Sequence, residues 1–205
     1  MSQVTSGIHA ILSKPAIYNL FQNAMGAVKV RRDFVKNFVK PAKSFRILDI
    51  GCGTAEILHC LPADTEYWGY DISPQYIEAA RDSFGSRGHF HCGLIDSETL
   101  ISMPKFDIVL AIGVLHHLND DEAHSLFALA SEALKEDGRM VTLDPCFADG
   151  QNPIARYLIG KDRGQNVREA EGYRALAAVS FSNIHGVLRH RAWIPYTHWI
   201  MECTR

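Results

Sequence analysis

Residues 46–58 read RILDIGCGTAEIL, an apolar run that carries an aspartate, passes into a glycine turn and continues into helix-forming residues. Residues 46–50 are typical of a buried strand, residues 51–54 of a tight turn whose glycines allow close approach of a ligand, and residues 55–60 of the first turns of a helix. In an open α/β sheet, a pocket lies beyond the carboxyl end of such a strand, where the helix N-terminus offers free N–H groups. The stretch therefore predicts a ligand-binding turn.

Outward from this stretch, apolar strand patterns alternate with helical patterns. Such alternation predicts parallel strands joined by right-handed crossovers, with helices on both faces of the sheet, and hence an α/β fold. Two helices, within residues 15–40 and broken near Gly26, precede the first strand, and after Pro145 a polar segment leads into a helix at about 167–179. The predicted strands are 46–50, 66–70, 89–92, 107–112, 139–143, 184–192 and 197–203, with a hairpin turn at Pro195, and further helices begin near residues 55, 74, 97 and 119.

Length and composition indicate one ordinary globular domain. The chain has 205 residues, of which 47% are hydrophobic, enough for a single sizeable core. We expect residues 1–40 to form a helical cap, 45–146 the core that carries the ligand-binding turn, 147–181 a lid and helix, and 182–205 a terminal β-hairpin.

Charge and cysteine content limit the partners and the compartment. A formal charge of −2 gives no general electrostatic reason to expect a nucleic acid or a membrane as partner. The five cysteines are odd in number and show no CxxC spacing, which favours reduced thiols in the cytoplasm. Neither a signal peptide nor a membrane-spanning run is evident.

The glycine turn by itself fits several classes of nucleotide-binding protein. A dinucleotide fingerprint needs a third glycine where this chain has Glu56, and Asp49 lies two residues before the first glycine. These carboxylates repel phosphates but tolerate a ligand that bears an ammonium group. Asp71 ends the next strand, at the spacing at which a carboxylate pairs with ribose hydroxyls.

Together, DIGCGTAEIL (49–58), the strand-end Asp71 and FDIVLAIGVLHHL (106–118) resemble the class I S-adenosylmethionine-dependent methyltransferases of the small-molecule type. The resemblance covers about residues 45–146 strongly and the terminal hairpin more loosely. It implies a Rossmann-like sheet of seven strands in the order 3-2-1-4-5-7-6, the last antiparallel, with S-adenosyl-L-methionine as cofactor and S-adenosyl-L-homocysteine as product.

The same resemblance implies roles for the residues at the strand ends. Asp71 would hold the ribose hydroxyls, Ile72 would pack on the adenine, and Leu94 and Ile95 would lie near the adenine edge. The methionine moiety would be lined by Asp49, Gly51, Cys52 and Gly53, and the floor under the sulfonium would be formed by Ile112, Gly113 and Val114.

Two positions depart from the pattern of many members of this family. Ala55 replaces a third glycine, which narrows the permitted backbone geometry. Leu94 stands where an acid commonly follows the glycine of HCGLID (91–96), which leaves the contact to the adenine amino group open. The nearest acid, Asp96, precedes SETL and is expected to cap the next helix.

Two adjacent histidines are the candidates for a general base. His116 and His117 follow the fourth predicted strand, and histidine titrates in the range needed to accept a proton from an acceptor. His117 is preferred by analogy with related N- and O-methyltransferases. The alternative is that these histidines only start a helix and bond the backbone.

Candidates for acceptor binding are less constrained. Asp144 ends the fifth strand before a proline, and an Asp–Pro pair is often only a turn. Tyr18 and Tyr196 lie in the N-terminal helix and the hairpin, where ordinary packing is the competing explanation. Lys161, Arg163 and Arg168 could recognise an anionic group or simply form a solvated loop.

Metal binding is not expected, because the HxH pair His89 and His91 lacks further ligands in the sequence. The leading interpretation is methyl transfer to an oxygen or nitrogen of a small-molecule acceptor, mainly by proximity, by a monomer or a homodimer. An NAD(P)-dependent oxidoreductase and a non-catalytic interaction module that retains the fold are the alternatives.

Overall fold

The computed structural model describes residues 27–162, 164–191 and 195–205. Tyr18, Arg163 and the first predicted N-terminal helix lie outside these residues. The helices are α1 (Ala27–Phe34), α2 (Pro74–Phe84), α3 (Ser97–Ile101), α4 (Asp120–Ala133), α5 (Pro153–Gly160) and α6 (Ala170–Ala177), with a π turn at Val35–Val39 and 3₁₀ turns at Glu56–Cys60, Gly85–Arg87 and Leu115–His117. The strands are β1 (Arg46–Ile50), β2 (Glu66–Asp71), β3 (His89–Cys92), β4 (Phe106–Ile112), β5 (Leu134–Phe147), β6 (Arg168–Glu169), β7 (Asn183–Arg191) and β8 (Tyr196–Thr204).

The main sheet runs in the order β3-β2-β1-β4-β5-β8-β7. The strands β1 to β5 are parallel neighbours, and β8 pairs antiparallel with both β5 and β7. The two-residue β6 pairs with the end of β5, off this path. With β6 set aside, the order is the predicted 3-2-1-4-5-7-6, and the predicted α/β class is confirmed.

Apolar side chains cover both faces of the sheet. Phe106, Phe127 and Tyr173 belong to one buried cluster, which joins the sheet to α4 and α6. Phe34 and Ile77 belong to the second, which joins it to α1 and α2. A sheet covered on both faces leaves its strand ends as the place for a ligand.

Local capping explains where the crossover helices begin. The Ser73 side chain accepts a hydrogen bond from the backbone of α2, and Pro74 occupies the first helical position, where no N–H is needed. Asn119 and Glu122 form a reciprocal capping box at the start of α4. Both helices therefore start at the carboxyl ends of their strands, as predicted.

Three elements differ from the prediction. The turn after β1 leads into a 3₁₀ helix rather than an α-helix, and Ala55 before it has a left-handed backbone. The strand β5 continues through Asp144 and Pro145 instead of turning there, because β8 pairs with it as far as Pro145 and β6 pairs with Cys146 and Phe147. The helix predicted at 167–179 is α6, preceded by β6.

The helix α5 was missed in the segment after β5. It begins where Asn152 caps the backbone and Pro153 occupies the first turn. This Asn-Pro pair is a helix-start signal. The polar, glycine-containing residues on both sides of α5 are more typical of a loop, and they hide this signal in the sequence.

Candidate functional site

The glycine turn after β1 lies against the end of β2. The backbone N–H groups of Gly51 and Cys52 both donate to the carbonyl of Tyr70, at 2.8 and 3.0 Å. Gly51 has φ +74°, and a Cβ there would lie 2.5 Å from Cγ2 of Val114. The turn therefore requires glycine on both conformational and steric grounds.

Asp71, at the end of β2, faces this turn. Its Oδ2 accepts a hydrogen bond from the N–H of Gly53 at 2.9 Å, and its Oδ1 accepts one from the N–H of Ser73 at 2.8 Å. Burial raises the pKa of Asp71, and these two bonds oppose that rise. Each carboxylate oxygen has a further lone pair, so the side chain is held in place and can still accept hydroxyl groups of a ligand.

Asp49 lies in β1, directly behind the turn, and is buried. The Tyr67 hydroxyl donates to its Oδ2 at 2.6 Å. Its buried Oδ1 has no hydrogen-bond partner among the described residues. Burial raises the pKa of Asp49 to about 7, the Tyr67 bond lowers it, and the nearby Asp71 raises it further.

Two exposed apolar side chains flank Asp71. Ile72 follows β2 and is 48% exposed, and Leu94 follows β3 and is 69% exposed, whereas Ile95 is half-buried against the core. The Asp96 side chain accepts a hydrogen bond from the N–H of Thr99 at 2.8 Å, which confirms it as the cap of α3. An apolar edge beside a carboxylate suits a nucleoside, whose ring is flat and whose ribose is polar.

The end of β4 forms the other side of the turn. Gly113 has φ +69°, and its N–H donates to the carbonyl of Leu143 at 2.7 Å. Ile112 and Gly113 are half-buried, and Val114 is buried against Gly51. These residues lie next to the glycine turn, where the resemblance assigns the floor of the cofactor site.

His116 is buried between two carboxylates. Its Nδ1 lies 2.8 Å from Oδ1 of Asp144 in β5, and its Nε2 lies 3.2 Å from Oδ1 of Asp162 after α5. Although burial alone would lower the pKa of His116, the two aspartates raise it to about 9. A histidine that keeps its proton at neutral pH is poorly suited to accept one from an acceptor.

His117 is half-buried in the same 3₁₀ turn. Its ring centroid lies 4.0 Å from that of His116, and its N–H donates to the carbonyl of Val114 at 3.0 Å. The turn thus places the backbone of His117 within one helical turn of Val114 and its ring next to that of His116.

Tyr196 joins the same cluster through Asp162, because its hydroxyl donates to Oδ2 of that aspartate at 2.5 Å. The structure therefore brings together three sequence candidates, His116, Asp144 and Tyr196. Asp162 was not predicted, since nothing in KDRGQ (161–165) distinguishes it from a solvated loop residue.

Arg168 does not point towards a ligand. Its guanidinium donates to the carbonyls of Leu115 and Leu118, at 3.1 and 2.8 Å, and to Oδ1 of Asp120 at 2.6 Å. These donors are directed at the protein, so the structure offers no support for recognition of an anionic acceptor by Arg168 and does not show it as a solvated loop residue either. Lys161 is exposed.

The described residues supply no group of three or more His, Cys, Asp or Glu side chains arranged to hold a metal ion. The same part of the chain has no helix that is both long and apolar enough to cross a membrane.

Comparisons with known proteins show which proteins this chain resembles. Residues 48–140 match the family model of a methyltransferase domain. The chain is 30% identical over 136 residues to a tRNA U34 carboxymethyltransferase of Shewanella frigidimarina, covering 64% of this chain and 40% of that protein. It is 29% identical over 157 residues to the O-methyltransferase cnsE of Penicillium expansum, covering 67% and 55%. The chain thus spans about half or less of these relatives.

The fold is also found in a solved structure. The S-adenosylmethionine-dependent methyltransferase SibL superposes with a TM-score of 0.71 at 18% identity, covering 91% of this chain and 58% of that chain. The residues fit the cofactor of such proteins, because a buried carboxylate oxygen of Asp49 without a partner among the described residues suits an ammonium group. The family model over residues 48–140 and the shared fold thus make this chain similar to the S-adenosylmethionine-dependent methyltransferases.

Proposed function

We propose that this protein transfers a methyl group from S-adenosylmethionine to an oxygen or nitrogen of a small-molecule acceptor. The observation that carries the proposal is that two carboxylates, those of Asp49 and Asp71, lie at the same glycine turn. Asp71 is held by two backbone N–H groups, and Asp49 is buried with Oδ1 unpaired within the described structure. The likeness to an O-methyltransferase over 67% of this chain supports the choice of reaction.

Three parts of the site would hold the cofactor. Asp49 and the 51–53 turn would receive the charged amino-acid end, Asp71 the ribose hydroxyls, and Ile72 and Leu94 the adenine. The Asp71 carboxylate is already oriented by Gly53 and Ser73, so little ordering is required on binding. When bound, S-adenosylmethionine supplies a methyl group on a positively charged sulfur, which is a good leaving group.

The protein would promote the reaction mainly by positioning the cofactor and the acceptor relative to each other. Placing two reactants in line removes much of the entropic barrier of a bimolecular reaction. A proton acceptor is needed only for acceptors that are protonated at neutral pH, and His117 is our candidate for it. Its support is its place in the turn after β4, beside the predicted cofactor floor, while the neighbouring His116 is held by two aspartates.

The test is binding of S-adenosylmethionine by isothermal titration calorimetry to the wild type and to Asp71→Asn. The variant keeps the shape of the side chain but loses its charge, and we expect affinity to fall by about 1–3 kcal/mol, or roughly 5- to 150-fold. Asp82→Asn, on the exposed side of α2, is the matched control and should bind like the wild type.

Absence of binding by the wild type at millimolar cofactor would overturn the proposal. Equal affinity in wild type and Asp71→Asn would instead remove Asp71 from the ribose site. The acceptor is then sought by mass spectrometry of cell extracts incubated with the protein and methyl-labelled S-adenosylmethionine, where a labelled small molecule is the expected product.

A further inference from the structure

The hydrogen-bond partners of the His116 ring indicate that it carries a positive charge. Both ring nitrogens face carboxylate oxygens, of Asp144 at 2.8 Å and of Asp162 at 3.2 Å. A neutral imidazole has one N–H, whereas an imidazolium has two. Because carboxylates only accept, the arrangement is satisfied on both sides by the cation.

We infer that the His116 imidazolium is a positioning residue, which fastens the chain after α5 to the end of β4 and so holds the acceptor side of the site in place. That this side of the site binds the acceptor rests on the proposed function, whereas the contacts of His116 do not depend on it. As a positioning residue, His116 has a role distinct from that of a general base.

The backbone around His116 is packed as closely as its ring. A Cβ on Gly164 would lie 2.0 Å from Cδ2 of His116 and 2.6 Å from its carbonyl oxygen. The N–H of Gly164 donates to Oδ1 of Asp162 at 3.0 Å, and the N–H of Asn166 donates to the carbonyl of His116 at 2.9 Å. The segment after α5 therefore contacts His116 through the N–H of Asn166 and the close packing of Gly164, as well as through the charge of Asp162.

A second cation secures the other end of the same turn. Arg168 donates to the carbonyls of Leu115 and Leu118 and forms an ion pair with Asp120 at 2.6 Å. The turn that carries His117 is thus bonded to Asp162 and Asn166 through His116, and to Arg168 through the carbonyls of Leu115 and Leu118.

The titratable groups around the ion pair act in both directions. Burial raises the pKa of Asp144, whereas the hydrogen bond and charge of His116 lower it. Asp144 comes from β5, Asp162 from the end of α5, Tyr196 and His198 from β8, Arg191 from β7, and His117 from the turn itself. The pKa of His198 is lowered to about 4, first by burial and then by Arg191. A neutral His198 leaves the charge of Asp162 to His116, and hydrogen bonds from His116, Gly164 and Tyr196 lower the pKa of Asp162 against the effect of burial.

Two measurements on the intact protein test this inference. Nitrogen-15 NMR of labelled histidine reports how many ring protons His116 carries, and hydrogen exchange reports the protection of the amides of Gly164 and Asn166. We expect His116 to keep both ring protons at pH 8 in the wild type. In Asp162→Asn its midpoint should fall by at least about one pH unit, and both amides should exchange about tenfold faster or more.

Two further variants control for folding. Tyr196→Phe removes the hydrogen bond to Asp162 but keeps the aromatic ring, and should leave both ring protons on His116, with a smaller increase in exchange. Asp149→Asn changes an exposed aspartate of the preceding loop and should behave like the wild type in both measurements.

A wild-type His116 that titrates near pH 6.5, or unchanged amide exchange in Asp162→Asn, would overturn the inference. Calorimetry with S-adenosylmethionine separates it from the proposed function. If wild-type protein shows the doubly protonated ring but binds no cofactor, the proposed function fails and the positioning contact stands. If the protein binds cofactor but His116 titrates near pH 6.5, the positioning role of His116 fails and the proposed function stands.

Discussion

At the scale of the residue, Asp49 combines a buried carboxylate with a neighbour of the same charge. Its pKa of about 7 lies above the ordinary value of 3.8 because of burial, with Asp71 adding to the effect. The folded protein therefore binds more protons than the unfolded chain between pH 3.8 and 7, so ionisation of Asp49 reduces the free energy of unfolding as pH rises through this range. This loss of stability is explained if the site binds a cationic group of a ligand, which would offset the buried charge of Asp49.

We predict that Asp49→Asn stabilises the ligand-free protein at pH 8, by about 2–4 kcal/mol, because the uncharged amide avoids the burial of a charge. Below pH 4 the variant and the wild type should differ little. The same substitution should weaken S-adenosylmethionine binding by about 1–3 kcal/mol, since it removes the partner of the ammonium group. Urea unfolding and calorimetry measure the two effects, with Asp82→Asn as control. A variant that is less stable at pH 8, or that binds as well as the wild type, contradicts this reading of Asp49.

The second prediction at this scale concerns His117. If it accepts a proton from the acceptor, His117→Ala should lower kcat by about 10²–10⁴-fold with little change in the calorimetric affinity for S-adenosylmethionine. His185→Ala, an exposed histidine on β7, should leave both unchanged. The measurement follows once labelled product has identified an acceptor, and an unaltered kcat would show that position alone suffices.

At the scale of the element, the terminal hairpin depends on one glycine. Trp199 of β8 lies across Gly186 of β7, and a Cβ at Gly186 would lie 2.0 Å from Cζ2 of the indole. The tryptophan is buried and belongs to the core cluster under α4 and α6, so it has little freedom to move away. The absence of a side chain on β7 is what lets the hairpin close over the core.

We predict that Gly186→Ala lowers the free energy of unfolding by about 1–3 kcal/mol, the usual cost of overpacking a filled site. Gly160→Ala is the control, because a Cβ there meets nothing within 4 Å and alanine favours the helix by roughly 0.5–1 kcal/mol. Urea denaturation measures the free energy of unfolding of the wild type and of both variants. Equal stability of the two would mean that the indole relaxes without cost.

Elements whose boundaries follow local rules could be predicted from sequence. The strands β1 to β4 and the starts of α2, α3 and α4 were predicted within a residue or two, because alternating apolar runs and cap residues specify them locally. The extension of β5 through Pro145 was not, since it depends on pairing with β8, more than 50 residues later. Tertiary pairing of this kind leaves no local pattern.

The same distinction applies to the candidate site. Asp49 and Asp71 could be proposed because each ends or nearly ends a strand, where topology brings carboxylates to one edge. The second partner of His116 could not, because Asp162 lies in the segment after α5, which packs on the turn through Gly164 and Asn166. Local sequence identified the histidine, and the fold determined its charge.

At the scale of the whole molecule, the shifted groups act on stability over different pH ranges. Between about pH 4 and 6.5, ionisation of Asp49 destabilises the folded state, while the lowered pKa of His198, about 4, stabilises it as protons leave the unfolded chain. These two effects oppose each other. Above pH 6.5 His116 dominates, because its pKa of about 9 exceeds the unfolded value of 6.5, and the stability it provides is lost as pH rises towards 9.

We therefore predict that the free energy of unfolding of the ligand-free protein falls by about 2 kcal/mol or more between pH 6.5 and 8.5. Urea denaturation at intervals of half a pH unit measures it, and comparison with His116→Gln separates the histidine from cysteine thiols, which also ionise in the unfolded chain near pH 8.5. In His116→Gln this decline should flatten, whatever the absolute stability of the variant, because the slope reports the proton and not the packing. A wild type whose stability is constant over this interval, or a variant with the same slope, would place the titrating group elsewhere and leave the ring between Asp144 and Asp162 without its second proton.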